Sequence, residues 1–165
     1  MSVERLQPYC NAPLRNRGRG FTFLELLMTV AVVGLLAAVA MPSYAGLVQR
    51  QKVEQAARDL MRIAQSIERY RTNHFAVPDT LADLGAPIPK DPWGQDYQFL
   101  NFTSKAPGVN AKIRKDHNLH PLNTEFDLYS VGKDGLSVAP LTGQASKDDV
   151  IWARDGGFVG LAAEF

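Results

Sequence analysis

The chain has 165 residues, room for one domain plus a membrane-spanning or coiled element but not for two full domains. Its formal net charge of +1 gives no overall bias toward nucleic acid or an acidic substrate. That balance is uneven: Arg5, Arg15, Arg17 and Arg19 face the single acid Glu4 in the first twenty residues, leaving 14 basic and 16 acidic side chains beyond Gly20. The only cysteine, Cys10, lies in the same stretch. No long apolar run precedes it, so it is no lipidation site, and the later chain can form neither an internal disulfide nor a cysteine metal site.

From Phe21 to Met41 the chain is apolar with one charged interruption, Glu25. As a helix this run spans roughly 30 Å, the thickness of a bilayer's hydrocarbon core. Three arginines stand before it and the next cation is Arg50, which by the positive-inside rule puts the N-terminus in the cytoplasm. Pro42 can bend the helix, yet the helical pattern resumes at once. Val53, Ala56, Ala57, Leu60, Ile63, Ala64, Ile67 and Tyr70 recur at three- and four-residue steps, opposite a face of Arg50, Lys52, Glu54, Arg58, Asp59, Arg62, Glu68 and Arg69. The spacing predicts one long helix to about Asn73, apolar first and amphipathic later.

Prolines 78, 87, 89, 92 and 107 then mark loops. Residues 96–100 (DYQFL) and 125–131 (EFDLYSV) read as strands, with Val150–Trp152 as a third and 101–124 as a long hairpin connection. The expected fold class is α+β, a long helix laying its amphipathic half on a small antiparallel sheet that could not otherwise bury a core.

Two readings compete for the N-terminus. A secretory signal would place a cleavage site at Ala38-Val39-Ala40, but Glu25 impairs such an apolar region. It also leaves the continuity of the helical face beyond Met41 without a reason. Alternatively, cleavage falls between Gly20 and Phe21 and the apolar run stays in the mature chain. Here the segment GFTFLELLMTVAVVGLLAAVAMP resembles the type IV pilin and type II secretion pseudopilin superfamily, whose signature is G-F-T-hydrophobic-x-E-hydrophobic. The resemblance implies a prepilin peptidase that cuts after Gly20 and methylates the new amine of Phe21. It implies a role for Glu25 in assembly. The cationic amine of Phe21 and Glu25 of a neighbouring subunit would each remove the other's desolvation penalty.

Further on, DPWGQDYQFL and DLYSVGKDG are similar to hallmark segments of the major (G-type) pseudopilin of type II secretion. The resemblance covers about 21–100 and 125–150, while 101–124 and the tail ARDGGFVGLAAEF depart from it. The division it implies is a leader 1–20, a transmembrane and filament-core helix 21–42, an amphipathic helix 43–75 and a globular head 76–165. The implied localisation is the inner membrane, crossed once, with the head in the periplasm. The implied partners are other copies of the chain, minor pseudopilins and an inner-membrane assembly platform, with no nucleic acid.

The segment VGKDGLSVAPLTGQASKDD offers Asp134 before Gly135 and the pair Asp148–Asp149, three hard oxygen donors in a loop without a disulfide. In G-type pseudopilins the C-terminal loop binds calcium. The resemblance maps the family's aspartates onto Asp134, Asp148 and Asp149, and its carbonyl ligands onto Val131, Leu136 and Ser146. A solvated turn at each acid is the competing reading, and the spacing is not that of an EF-hand. His117 and His120 read as solvated loop residues, Trp93 as a plug on the long helix, and GGFVGLAAEF as no phosphate loop. The chain carries no recognisable nucleophile set, zinc spacing or nucleotide fingerprint. A filament subunit is therefore expected rather than an enzyme. A type IV pilin is the near alternative, and a membrane-anchored periplasmic enzyme using Asp148, Asp149 and the loop histidines the distant one.

Overall fold

The computed structural model describes residues 20–165 except 105, 106 and 118, with the backbone alone at Ala40, Pro42 and Ser43. Residues 1–19, Cys10 included, lie outside the described residues. The chain divides into two units, Met1–Pro42 and Ser43–Phe165, and helix α1 (Phe23–His74) supplies residues to both.

In the first unit, Thr22 starts the helix. Its hydroxyl oxygen accepts the Glu25 amide at 3.2 Å and its carbonyl accepts the Leu26 amide at 3.1 Å. The first bond satisfies one of the amide donors that a helix start leaves unpaired, and the second is the first backbone bond of the helix. Glu25 lies in the first turn, where the helix dipole favours an anion. The apolar part of α1 is long enough to cross a membrane, and Phe21, Phe23, Leu24, Met28, Leu35 and Val39 are all exposed.

In the second unit the expected helix face is the buried one. Ala56, Ala57, Leu60, Ile63 and Ile67 pack with Tyr97, Phe126, Leu128 and Val150, and Val53 and Ala64 lie partly buried at the edge of this core. The sheet is an antiparallel meander of β1 (Gln98–Asn101), β2 (Phe126–Ser130), β3 (Val150–Ala153) and β4 (Phe158–Leu161), in that spatial order. Strand side chains alternate between faces. Phe126 and Leu128 therefore point to the helix. Tyr129, Ile151 and Ala153 join Leu122, Leu141 and Ala162 in a second core. Leu122, Leu141 and the C-terminal Ala162 and Phe165 thus furnish a layer on the side of the sheet that the helix leaves open.

Two features differ from the expectation. Asp59, placed by periodicity on the polar face of α1, is buried. Its carboxylate accepts the Tyr97 hydroxyl at 3.2 Å and the Arg62 guanidinium at 3.2 Å, which offsets the cost of burial. Strand β4 was not expected, because FVGL is short, carries a glycine and lacks polar alternation. Pairing with β3 across the Arg154–Gly156 turn makes it a strand.

The two segments similar to G-type pseudopilins meet at Asp91. One oxygen of this buried carboxylate accepts the amides of Trp93 and Gln95 at 3.0 and 2.7 Å, which shapes the DPWG turn. The other accepts the hydroxyl of Ser130, at the end of β2, at 2.5 Å. Trp93 is half-buried against the α1 core, with the Lys52 ammonium 6.0 Å from its ring centre.

Candidate functional site

The first candidate site is the helix start at Gly20, Phe21 and Glu25. Gly20 and Phe21 precede α1 in open chain, and Phe21 is 78% exposed, so the bond between them is reachable. Glu25 is exposed, and no ion pair forms with it among the described residues. A lone carboxylate thus stands four residues after Phe21, on a surface without another charge down to Met41.

The second is the C-terminal loop. Gly132 starts it at φ +67°, and a Cβ there would lie 2.2 Å from the carbonyl oxygen of Asp148, so the two ends of the loop approach as only glycine allows. Asp148 closes that approach by accepting the amides of Lys133 and Asp134 on one oxygen, at 2.8 and 2.9 Å. Asp134 turns back on its own backbone, accepting the Leu136 amide at 2.8 Å. Ser146 is buried, its hydroxyl bonded to both the amide and the carbonyl of Val138 at 3.0 and 2.8 Å. Leu136 is 62% exposed and Val131 half-buried.

Asp149 points elsewhere. It is fully buried, and its Oδ2 accepts the Arg114 guanidinium at 2.5 Å and the Ser137 hydroxyl at 2.6 Å. Burial pushes the Asp149 carboxyl above its ordinary range, against the opposite pull of Ser137 and Arg114. Burial likewise raises Asp127, which accepts the Arg114 amide at 2.6 Å and the Asn123 side chain at 3.0 Å.

The acid trio expected to hold calcium is therefore not assembled. Among the described residues no three Asp, Glu, His or Cys side chains are grouped so that they could hold a metal ion. Asp134 and Asp148 bind backbone amides, and Asp149 is turned to an internal cation. His117 pairs with Asp116 at 2.9 Å on the surface and joins no such group. Arg114 escaped the sequence reading because a single arginine in a Pro/Asn-rich connection carries no spacing that marks it.

A capped helix start with an exposed apolar stretch, continued by an amphipathic half on a small meander, defines a pilin-like protein. In keeping with that class, residues 15–41 match the family described as the prokaryotic N-terminal methylation motif. The type II secretion system core protein G of Pseudomonas aeruginosa is 32% identical over 142 residues, covering 73% of this chain and 87% of that protein. Core protein G of Vibrio cholerae is 26% identical over 144 residues (75% and 86%), and that of Pectobacterium carotovorum 26% over 141 residues (73% and 79%). The chain belongs to the family of type II secretion system core protein G. No solved structure matches it.

Proposed function

We propose that this chain is a structural subunit of a type II secretion pseudopilus, a filament that assembles from the inner membrane and helps drive protein export. The observation that carries the reading is the exposed apolar half of α1, interrupted by one carboxylate, on a chain whose relatives are core proteins G. So large an apolar surface needs a covering. Lipid covers it in the free subunit, and neighbouring helices cover it in the filament.

A prepilin peptidase removes 1–20 and methylates Phe21. The segment 21–42 is then the membrane and filament-core helix, 43–75 the amphipathic part and 76–165 the periplasmic head, with the N-terminus cytoplasmic. Removal of the leader creates the cation that Glu25 lacks. On its own, Glu25 at membrane depth costs roughly 2.5–3.5 kcal/mol on insertion scales. Paired with the Phe21 amine of another copy, that cost is offset, and the pairing is available only inside an assembly. Other copies of the chain, minor pseudopilins and the inner-membrane assembly platform are the partners. The role is structural, not catalytic.

The test is secretion. In the native host, loss of the chain should leave exported enzymes stranded in the periplasm, and the wild-type chain supplied in trans should restore them to the medium. Normal export combined with lost surface pili would instead identify a type IV pilin.

A further inference from the structure

The C-terminal loop from Val131 to Asp149 carries three aspartates and has no cysteine with which to close itself. Something must neutralise Asp149, which is fully buried. We infer that the guanidinium of Arg114, a residue of the connection 101–124, is the built-in cation that holds this loop closed, in the place where the family resemblance implies a divalent metal ion.

Backbone pairing delivers Arg114 to the loop. The Lys115 amide donates to the Ala139 carbonyl at 3.1 Å, and the Leu141 amide donates back to the Lys115 carbonyl at 2.8 Å. The Arg114 amide is fixed on Asp127 of β2, so the residue is held at both ends of its backbone. Its side chain is 3% exposed against 0% for Asp149. The guanidinium donates to Asp149 Oδ2 through Nη2 and pairs with the Ser137 hydroxyl through Nη1. Its plane carbon lies 4.2 Å from the centre of the Tyr129 ring, the distance of a cation–π contact.

The same contacts leave little for a metal ion. Calcium takes six to eight oxygen ligands. Here Asp149 Oδ2 already accepts an N–H and an O–H, Asp148 Oδ2 accepts two amides, and Asp134 Oδ1 accepts one. Each acid keeps one other oxygen, and that of Asp149, Oδ1, is buried without a protein partner beside a fixed positive charge that repels a second cation. A guanidinium is permanently charged and presents its donors in a fixed fork. The ion is thereby replaced by a side chain that cannot be chelated away.

The experiment uses the full chain in detergent micelles, heated in excess calcium and in excess chelator. Wild type should melt at the same temperature in both and resist trypsin equally at the exposed Lys147. Arg114→Met should melt about 10 °C lower, since removing one partner strands the other charge in a dry site. Adding Asp149→Asn to that variant should recover part of the loss, which a purely steric defect would not allow. A wild-type melting temperature that rises with calcium would overturn the inference, whether or not Arg114→Met folds. So would an Arg114→Met chain that melts like wild type in chelator. Melting of the isolated chain involves neither filament nor secretion, so failure here and failure of the secretion reading are separable.

Discussion

Replacing Glu25 by alanine is expected to abolish filament assembly while leaving the chain in the membrane. The substitution removes a charge from the apolar half of α1, so insertion is if anything easier. What disappears is the partner for the Phe21 amine of the neighbouring copy. Stranding one member of a buried ion pair costs about 3–5 kcal/mol, or roughly a hundredfold or more in association at every step of growth. Thr22 still caps the helix, because its oxygen accepts the residue-25 backbone amide and not the Glu25 side chain. Cross-linking between neighbouring subunits should therefore vanish at unchanged membrane yield. Normal assembly of the variant would mean that Glu25 only reaches back to the headgroups.

Leu60→Ala should cost about 3 kcal/mol of the stability of the second unit, within the range for truncating a buried leucine. Leu60 is fully buried in the core that α1 forms with Leu128 and Val150, and small neighbours at Ala56 and Ala57 can do little to fill the space. Denaturant unfolding of the full chain in micelles, followed by tryptophan fluorescence, reads this directly, since Trp93 and Trp152 both border that core. A loss below about 1 kcal/mol, the scale of a surface substitution, would show that the helix does not rest its apolar face on the sheet.

A continuous apolar run made the first half of the helix legible, and periodicity the second, because an amphipathic face has a repeat that few sequences imitate by chance. The fault at Asp59 has a physical cause: the hydroxyl of Tyr97, 38 residues away and just before β1, makes burial of that carboxylate tolerable, and no local pattern reports a distant partner. Strands β1 to β3 were legible from β-branched and aromatic runs. Strand β4 was not, since Gly160 breaks the pattern and only pairing with Ile151 gives it regular structure. In the loop the acids were visible but their directions were not. Asp134 and Asp148 serve the turn in which they stand, and Asp149 answers to a cation 35 residues earlier. Side-chain charge can be read along a sequence, whereas the counter-charge is chosen by the fold.

The mass of the chain recovered from the native membrane tests the whole account at its root. Every step, from the apolar half left in place to the pairing of Glu25, depends on cleavage between Gly20 and Phe21. The predicted species begins at Phe21 and carries one added methyl group on its amine. A chain still bearing residues 1–20, or one beginning at Met41 after the Ala38-Val39-Ala40 site, would contradict it.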